Sequence, residues 1–81
     1  MIAQIKLFAA AQQAIGEPEL QLELPDGSTV AELRSELVDK FPALGKWQAH
    51  LLIAVNQQYA NNDDLLHDND EIACFPPVSG G

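Results

Sequence analysis

Residues 19–42, ELQLELPDGSTVAELRSELVDKFP, decide the fold because they place a strand, a turn and a helix in immediate succession. Leucines alternate with polar residues from Glu19 to Leu24, which predicts a half-buried antiparallel strand with one solvent-exposed face. The Pro-Asp-Gly sequence at 25–27 predicts the turn that follows. Thr29 and Glu32 then form a T-x-x-E capping box, which marks the first turn of a helix.

The helix after the capping box has one apolar face and a defined end. Its apolar residues recur at intervals of three and four, which predicts the buried stripe of an amphipathic helix. Lys40 suits the negative end of the helix dipole, and Pro42 cannot continue the helix. The predicted buried stripe consists of Val30, Leu33, Leu37 and Phe41.

Further strands are predicted on both sides of this unit. Met1 to Ala9 alternates in polarity, which predicts a strand with Leu7 and Phe8 on opposite faces. The alanine- and glutamine-rich residues 10–15 predict a short helix that Gly16 ends. The remaining strands are predicted at Leu51 to Val55, at Gln58 to Ala60 on an edge after an Asn56-Gln57 turn, and at Glu71 to Phe75.

Two connecting segments carry weaker signals. We expect Ala43 to His50 to be a loop from which Trp47 folds back onto the core. We expect Leu65 and Leu66 to tuck under the polar segment 61–70 as a single turn.

The order of these elements predicts an α+β fold in which one mixed sheet of about five strands packs on one main helix. This order is typical of the β-grasp, or ubiquitin-like, fold. The chain has 81 residues, of which 47% are apolar, enough for one modest core. We assign residues 1–77 to this domain and residues 78–81 to a flexible C-terminal tail.

The charge of the chain narrows the classes of partner. Twelve acidic residues against four basic ones give a net charge of −8. Such a chain is a poor match for nucleic acid or an anionic membrane surface, and it favours a basic protein partner. Its single cysteine excludes an internal disulfide and a four-cysteine metal site, and it suits a reducing compartment. No stretch has the pattern of a signal peptide or a membrane span, so we expect a cytoplasmic protein.

The sequence lacks the usual catalytic and metal-binding motifs. His50 and His67 are isolated, and we expect both at the surface. The acidic residues within 63–71 lack the central glycine of a calcium loop, so we predict no metal site. Cys74 falls on the apolar face of the last strand and is expected to be buried. Ser79 has no partner base.

The C-terminal segment is the remaining candidate for chemistry. The last predicted strand leads into Pro76 and Pro77, which stiffen an extended path. The two glycines at the end can enter a channel too narrow for larger residues. The carboxylate of Gly81 is therefore the predicted reactive group. The predicted inserting tail consists of Val78, Ser79, Gly80 and Gly81.

The ending Phe75-Pro76-Pro77-Val78-Ser79-Gly80-Gly81 closely resembles that of the MoaD-type sulfur carriers, the ubiquitin-like small subunits of molybdopterin synthase. The resemblance covers the whole chain. It includes Phe8-Ala9 before a short helix, the helix opened by Thr29, and Ala54-Val55-Asn56.

Two departures from the family pattern are visible. Residues 66–72, LHDNDEI, resemble the family's L-x-D-G-D-E-V, with Asn69 in place of the usual glycine. Asparagine also tolerates a left-handed backbone, so we expect the turn to be kept. Gln12-Gln13 stands where the family often has an Arg-Glu pair. The sequence therefore does not predict the charged contact that such a pair would make, either within the subunit or with a partner.

The resemblance implies a sulfur carrier of molybdenum cofactor biosynthesis. A ubiquitin-activating-type adenylyltransferase, using ATP and Mg, would adenylate Gly81, and a sulfur donor protein would convert the adenylate to a thiocarboxylate. The tail would then enter the large subunit of molybdopterin synthase, where the sulfur attacks cyclic pyranopterin monophosphate. The implied assembly is a heterotetramer of two small and two large subunits. The chain itself would bind no cofactor and would not be an enzyme on its own.

The predicted sheet places Phe8 and Phe75 together on its open face, beside the exit of the tail. We interpret them, with Pro76 and Pro77, as a partner interface. The alternative is that the short helix after Ala9 covers the rings. Two other functions stay open: a sulfur carrier for thiazole or tRNA thiolation, and a ubiquitin-like binding module with an inert tail.

Overall fold

The secondary structure follows the predicted order, with small shifts at the ends of elements. The computed structural model describes residues 1–47 and 50–77. Its strands are β1 (Ile2–Leu7), β2 (Glu19–Glu23), β3 (Leu52–Val55), β4 (Gln58–Tyr59) and β5 (Glu71–Phe75). Its helices are α1 (Ala9–Ile15) and α2 (Val30–Lys40), and a 3-10 helix spans Pro42–Trp47.

The strands form one mixed sheet in the order β2-β1-β5-β3-β4. The first and last strands lie side by side in its centre and run parallel, with Leu7 opposite Cys74. β2 pairs antiparallel with β1, β3 pairs antiparallel with β5, and β4 forms an edge. This topology, with α2 between β2 and β3 in the chain, confirms the predicted β-grasp fold.

One face of the sheet and the apolar stripe of α2 share a single core. Residues alternate between buried and exposed along β1, as predicted for a strand with one covered face. Burying one such large side chain contributes about 1.5–3 kcal/mol, so this layer supplies much of the stability. The most deeply buried members include Ile5, Leu7, Leu22, Leu33, Leu37, Ile53 and Ile72.

The predicted capping box begins α2. The Thr29 hydroxyl oxygen accepts a hydrogen bond from the Glu32 backbone N–H at 3.3 Å. The Glu32 carboxylate in turn accepts one from the Thr29 backbone N–H at 3.1 Å. Two backbone donors that have no partner within the helix are therefore satisfied. The helix ends at Lys40, where Phe41 acts as the C-cap before Pro42.

Asparagine takes the place of glycine in the turn before β5. The backbone of Asn69 has φ of 70°, in the left-handed region. This confirms the prediction that the turn survives the Gly-to-Asn departure, because asparagine is among the residues that adopt this conformation most readily.

The segment after α2 is more regular than predicted. We expected a loop over Ala43 to His50, whereas Pro42–Trp47 forms a 3-10 helix. Tertiary packing explains the difference, because Leu44 is fully buried and its contact with the core holds this segment close to the body. Trp47 packs on the core as predicted. Residues 48 and 49 lie outside the described parts of the chain.

Two smaller expectations were wrong. Ala9 does not continue β1: its φ of 53° turns the chain, and it begins α1. Leu65 does not tuck under, because it forms an extended bridge with Thr29 and is 57% exposed. Only Leu66 is buried, since successive side chains of an extended segment point in opposite directions. Among the described residues, no helix is long and apolar enough to cross a membrane.

We expect Thr29→Ala to lower the free energy of unfolding by about 1 kcal/mol, because it removes the acceptor of the capping box. Urea denaturation of the variant and of the original chain measures this loss. Thr29→Ser keeps the hydroxyl and should retain most of the stability. A Thr29→Ala variant as stable as the original chain would contradict the role of the capping box.

Candidate functional site

The open face of the sheet carries an aromatic pair. The rings of Phe8 and Phe75 stack with centroids 4.9 Å apart and planes inclined by 13°. Phe8 is 40% exposed, and Phe75 is half-buried. The stack confirms the prediction that the two rings share the face opposite the core. Offset stacked rings attract each other beyond the gain from burying their surface, so the stacking stabilises this arrangement of the two side chains.

Strand pairing explains why these two rings meet. Leu7 and Cys74 lie opposite each other in the parallel β1–β5 ladder and point into the core. The next residue on each strand points to the other face, so Phe8 and Phe75 become neighbours. The Phe8 backbone N–H donates to the Cys74 carbonyl at 3.3 Å and holds this register.

The helix that follows Phe8 does not line the groove in which the two rings lie. The left-handed backbone at Ala9 turns the chain as α1 begins. Ala11 of α1 is fully buried within the core cluster, on the opposite side of the sheet from the rings. The alternative in which α1 covers Phe8 and Phe75 is therefore not what the structure shows.

Sequence reasoning missed Tyr59, which enlarges this surface. Tyr59 lies on edge strand β4, opposite Ala54 of β3, and is 74% exposed. Ala54 is in turn opposite Ala73 of β5, so a row of side chains crosses the open face. We call the surface formed by Phe8, Ala54, Tyr59, Ala73 and Phe75 the aromatic face. The register of β4 could have revealed Tyr59, but a two-residue strand gives little signal in the sequence.

Polar side chains border the aromatic face. Lys6, Gln57 and Glu71 line the same shallow groove as Phe8, Tyr59 and Phe75. An apolar centre with a polar border is the usual anatomy of a protein–protein interface. The arrangement therefore suits a protein partner that places an apolar side chain against the rings.

The chain leaves the sheet beside the aromatic face. Phe75 is the last residue of β5, and the predicted interface residues Pro76 and Pro77 follow it, both half-buried. The predicted inserting tail of Val78, Ser79, Gly80 and Gly81 lies outside the described residues, as does its predicted flexibility. The described part places the start of that tail next to the ring stack.

The lone thiol is buried, as predicted, and its chemistry is suppressed. Cys74 has no exposed surface, and burial raises the pKa of its thiol to about 11, with Arg34 opposing the shift. Arg34 belongs to α2 and was not foreseen near the thiol, because the two residues are far apart in the sequence. Its guanidinium donates to the Leu51 carbonyl and to the Asn62 side-chain oxygen. A protonated, inaccessible thiol is a poor nucleophile.

Two acidic residues of the 61–70 segment, Asp64 and Asp70, accept hydrogen bonds from backbone N–H groups. The Asp64 carboxylate accepts a hydrogen bond from the Asn61 N–H at 2.9 Å. The Asp70 carboxylate accepts from the His67 N–H at 2.7 Å and from the Asn56 side-chain amide at 2.9 Å. Within the described ranges no three acidic, histidine or cysteine side chains come together as a metal site.

The two histidines lie at the surface, as predicted, and a glutamine pair of α1 is exposed as well. His50 and His67 are exposed, and so are Gln12 and Gln13 of α1. The helix α1 forms with the glutamine pair in place, so it does not need the charged pair of the family pattern.

Comparison with known proteins gives matches along nearly the whole chain. A sequence model described as the ThiS family matches residues 5–81. The molybdopterin synthase sulfur carrier subunit of Arabidopsis thaliana is 38% identical over 78 residues, which cover 96% of this chain and 81% of that protein.

Solved structures have the same fold. A putative molybdopterin converting factor, subunit 1, from Pyrococcus furiosus superposes with a TM-score of 0.85 at 31% identity, covering 96% of this chain and 99% of that one. A complex of subunits 1 and 2 of molybdopterin-converting factor from Helicobacter pylori contains a chain that superposes with a TM-score of 0.69 at 28% identity. All of both chains is covered in that comparison.

The raised pKa of Cys74 predicts a loss of stability in alkali. The folded state holds the thiol proton up to pH about 11, whereas the unfolded chain releases it near the ordinary value of 9.0. The free energy of unfolding therefore falls as the pH rises from about 9 to about 11.

Urea denaturation measures the free energy of unfolding of the original chain and of Cys74→Ala, each at about pH 8 and about pH 10.5. Between the two pH values, the free energy of unfolding should fall by about 2 kcal/mol more for the original chain than for Cys74→Ala. Because each variant is compared with itself at two pH values, the small cavity left by the substitution cancels. Equal decreases in both proteins would contradict the assignment of a buried, protonated thiol.

Proposed function

This chain belongs to the ThiS family, and from that membership we propose that it is the sulfur-carrier subunit of a molybdopterin synthase, with Gly81 as the residue that carries the sulfur. The similarity to a named sulfur carrier over 96% of the chain is the observation on which the proposal rests. The geometry supports it, because the aromatic face and the start of the tail lie at the same end of β5.

Loading of the carrier with sulfur requires activation of the Gly81 carboxylate, which is a poor electrophile. We propose that a ubiquitin-activating-type adenylyltransferase holds ATP and Mg, and that the Gly81 carboxylate attacks the α-phosphate and releases pyrophosphate. A sulfide-level sulfur that the sulfur donor protein supplies then attacks the acyl carbon of the adenylate and breaks its bond to the AMP oxygen. AMP leaves, and Gly81 is left as a thiocarboxylate. In this scheme the carrier binds no cofactor itself.

Sulfur transfer then takes place in a second protein. The tail of Val78 to Gly81 enters the large synthase subunit, where the thiocarboxylate sulfur attacks cyclic pyranopterin monophosphate. Two loaded carriers supply the two dithiolene sulfurs of one product, which matches a heterotetramer of two small and two large subunits. The acid–base residues belong to the large subunit, so this chain acts as the sulfur-carrying part of the sulfurtransferase and not as an enzyme alone.

Docking of the body controls where the tail can reach. The Helicobacter pylori structure is a complex of subunits 1 and 2 of its converting factor, which supports a large subunit as the partner. We propose that the aromatic face binds this partner, together with Pro76 and Pro77. β5 is a central strand and cannot move independently of the sheet, so docking of the face fixes the point from which the tail starts.

Charge also suits protein partners. The net charge of −8 attracts basic surfaces and speeds encounter at low salt. The apolar surface of the aromatic face then supplies the short-range contact with the partner. A cytoplasmic site of action is part of the proposal, in keeping with a single reduced cysteine.

We expect Phe75→Ala to weaken binding to the large subunit by about tenfold or more, because it removes half of the stack at the centre of the aromatic face. Titration calorimetry with the purified large subunit measures the affinity, and urea denaturation confirms that the variant is folded. Ile2→Ala is the matched control, since Ile2 is an exposed apolar residue of β1 outside the aromatic face. Unchanged affinity for Phe75→Ala would show that the aromatic face is not the docking surface.

Deletion of Gly81 should abolish sulfur loading, because the carboxylate recedes by one residue from the activating site. Intact mass spectrometry after incubation with host extract, ATP and a sulfur source measures the gain of one oxygen-for-sulfur exchange. The original chain should show this gain and the shortened chain should not.

The same assay separates the alternatives. A thiocarboxylate that forms but does not convert the pterin precursor with the large subunit would favour a carrier for thiazole or tRNA thiolation. The absence of any mass gain, in an extract that loads a known carrier, would favour a ubiquitin-like binding module.

A further inference from the structure

The turn between β3 and β4 contains two residues in the left-handed region. Asn56 has φ of 53° and Gln57 has φ of 71°. Two consecutive left-handed residues are characteristic of the type I′ turn, which matches the twist of a hairpin. Such turns favour asparagine in the first position and glycine in the second. The sequence here is Asn-Gln, so the second position carries a side chain where the backbone alone would favour none.

The fold accounts for Asn56. Its side-chain amide donates to the Asp70 carboxylate at 2.9 Å, and its side-chain oxygen accepts from the Glu71 N–H at 3.0 Å. Its own N–H donates to the Glu71 carbonyl at 2.7 Å. These contacts tie the hairpin to the start of β5. Asparagine is also one of the residues best suited to a left-handed backbone.

The fold does not account for Gln57. Its side chain is exposed, and in the described parts of the chain its carboxamide has no hydrogen-bond partner. A longer side chain in the left-handed region is strained relative to glycine. The residue thus destabilises the turn without contributing a contact that would offset the strain.

The position of Gln57 suggests what its side chain is for. It lines the groove of the aromatic face, where Phe8, Tyr59 and Phe75 form the apolar part. Its neighbours on the polar border, Lys6 and Glu71, are charged. Gln57 alone among these three presents both a donor and an acceptor on one neutral group. That combination matches a main-chain peptide group, which also presents one of each.

We propose that Gln57 is a recognition residue: its carboxamide binds a main-chain peptide group of the large subunit at the border of the aromatic face. This inference rests on the proposed function, because it takes the large subunit as the occupant of the groove. In this proposal the left-handed backbone of Gln57 holds its carboxamide beside the rings. A glycine at this position would relieve the strain but would leave the partner's peptide group without a hydrogen-bond partner.

Two substitutions separate recognition from strain. Gln57→Gly removes the carboxamide and relieves the strain, whereas Gln57→Ala removes the carboxamide and keeps the strain. Gln57→Gly should raise the thermal midpoint by about 4 °C, and Gln57→Ala should not raise it. Both should weaken binding to the large subunit by about threefold to tenfold in titration calorimetry. Gln58→Ala, which removes a neighbouring exposed glutamine outside the groove, should leave the affinity unchanged.

Phe75→Ala is measured in parallel so that the two proposals can fail separately. Unchanged affinity for both Gln57 variants, with weaker binding of Phe75→Ala, would overturn the role of Gln57 and leave the docking face intact. Weaker binding of the Gln57 variants with an unchanged Phe75→Ala would support the glutamine contact and overturn the aromatic face as the docking centre. If all three variants bind as the original chain does, both proposals fail.

Discussion

The parallel pairing of β1 with β5 is the interaction on which the rest of the structure depends. The two strands come from opposite ends of the described chain and lie together in the centre of the sheet. Their register places Leu7 and Cys74 in the core, and so brings Phe8 and Phe75 together on the outside. A slip of one residue would exchange the buried and exposed sets, which the apolar core prevents. Core packing and the geometry of the aromatic face are therefore set by the same ladder.

Several polar side chains of the body form hydrogen bonds with the backbone. Asp64 and Asp70 close turns, and Arg34 donates to the Leu51 carbonyl just before β3. Burial keeps Cys74 protonated through the neutral range. A body built in this way suits a carrier whose proposed reactive group is at Gly81, because it holds and presents the tail without competing for the sulfur.

Under the role proposed for Gln57, stability and recognition make different demands on the β3–β4 turn. Asn56 satisfies the fold through its contacts with Asp70 and Glu71. Gln57 has a left-handed backbone and its side chain makes no hydrogen bond within the described residues, yet it borders the aromatic face. A turn optimised for folding alone would have glycine there. Natural proteins commonly retain such local strain at functional surfaces, where the surrounding structure is stable enough to hold it.

Local patterns in the sequence determined the elements themselves. Each of these patterns extends over only a few residues, so the amino-acid order alone is enough to recognise it. They are the capping box, the alternation along β1 and β2, and the asparagine at position 69, which tolerates a left-handed backbone. The ring pair could also be predicted, since it needed only the parity of two strands and the β-grasp order. The sequence ending carried the assignment of Gly81, which lies outside the described residues.

Tertiary structure decided whatever depends on contacts between distant segments. It wound Pro42–Trp47 into a 3-10 helix around Leu44, left Leu65 exposed, and brought Arg34 near Cys74. It also carried Tyr59 onto the aromatic face through the pairing of a two-residue strand. These outcomes follow from packing and register between segments far apart in the chain, and no short stretch of sequence encodes such contacts by itself.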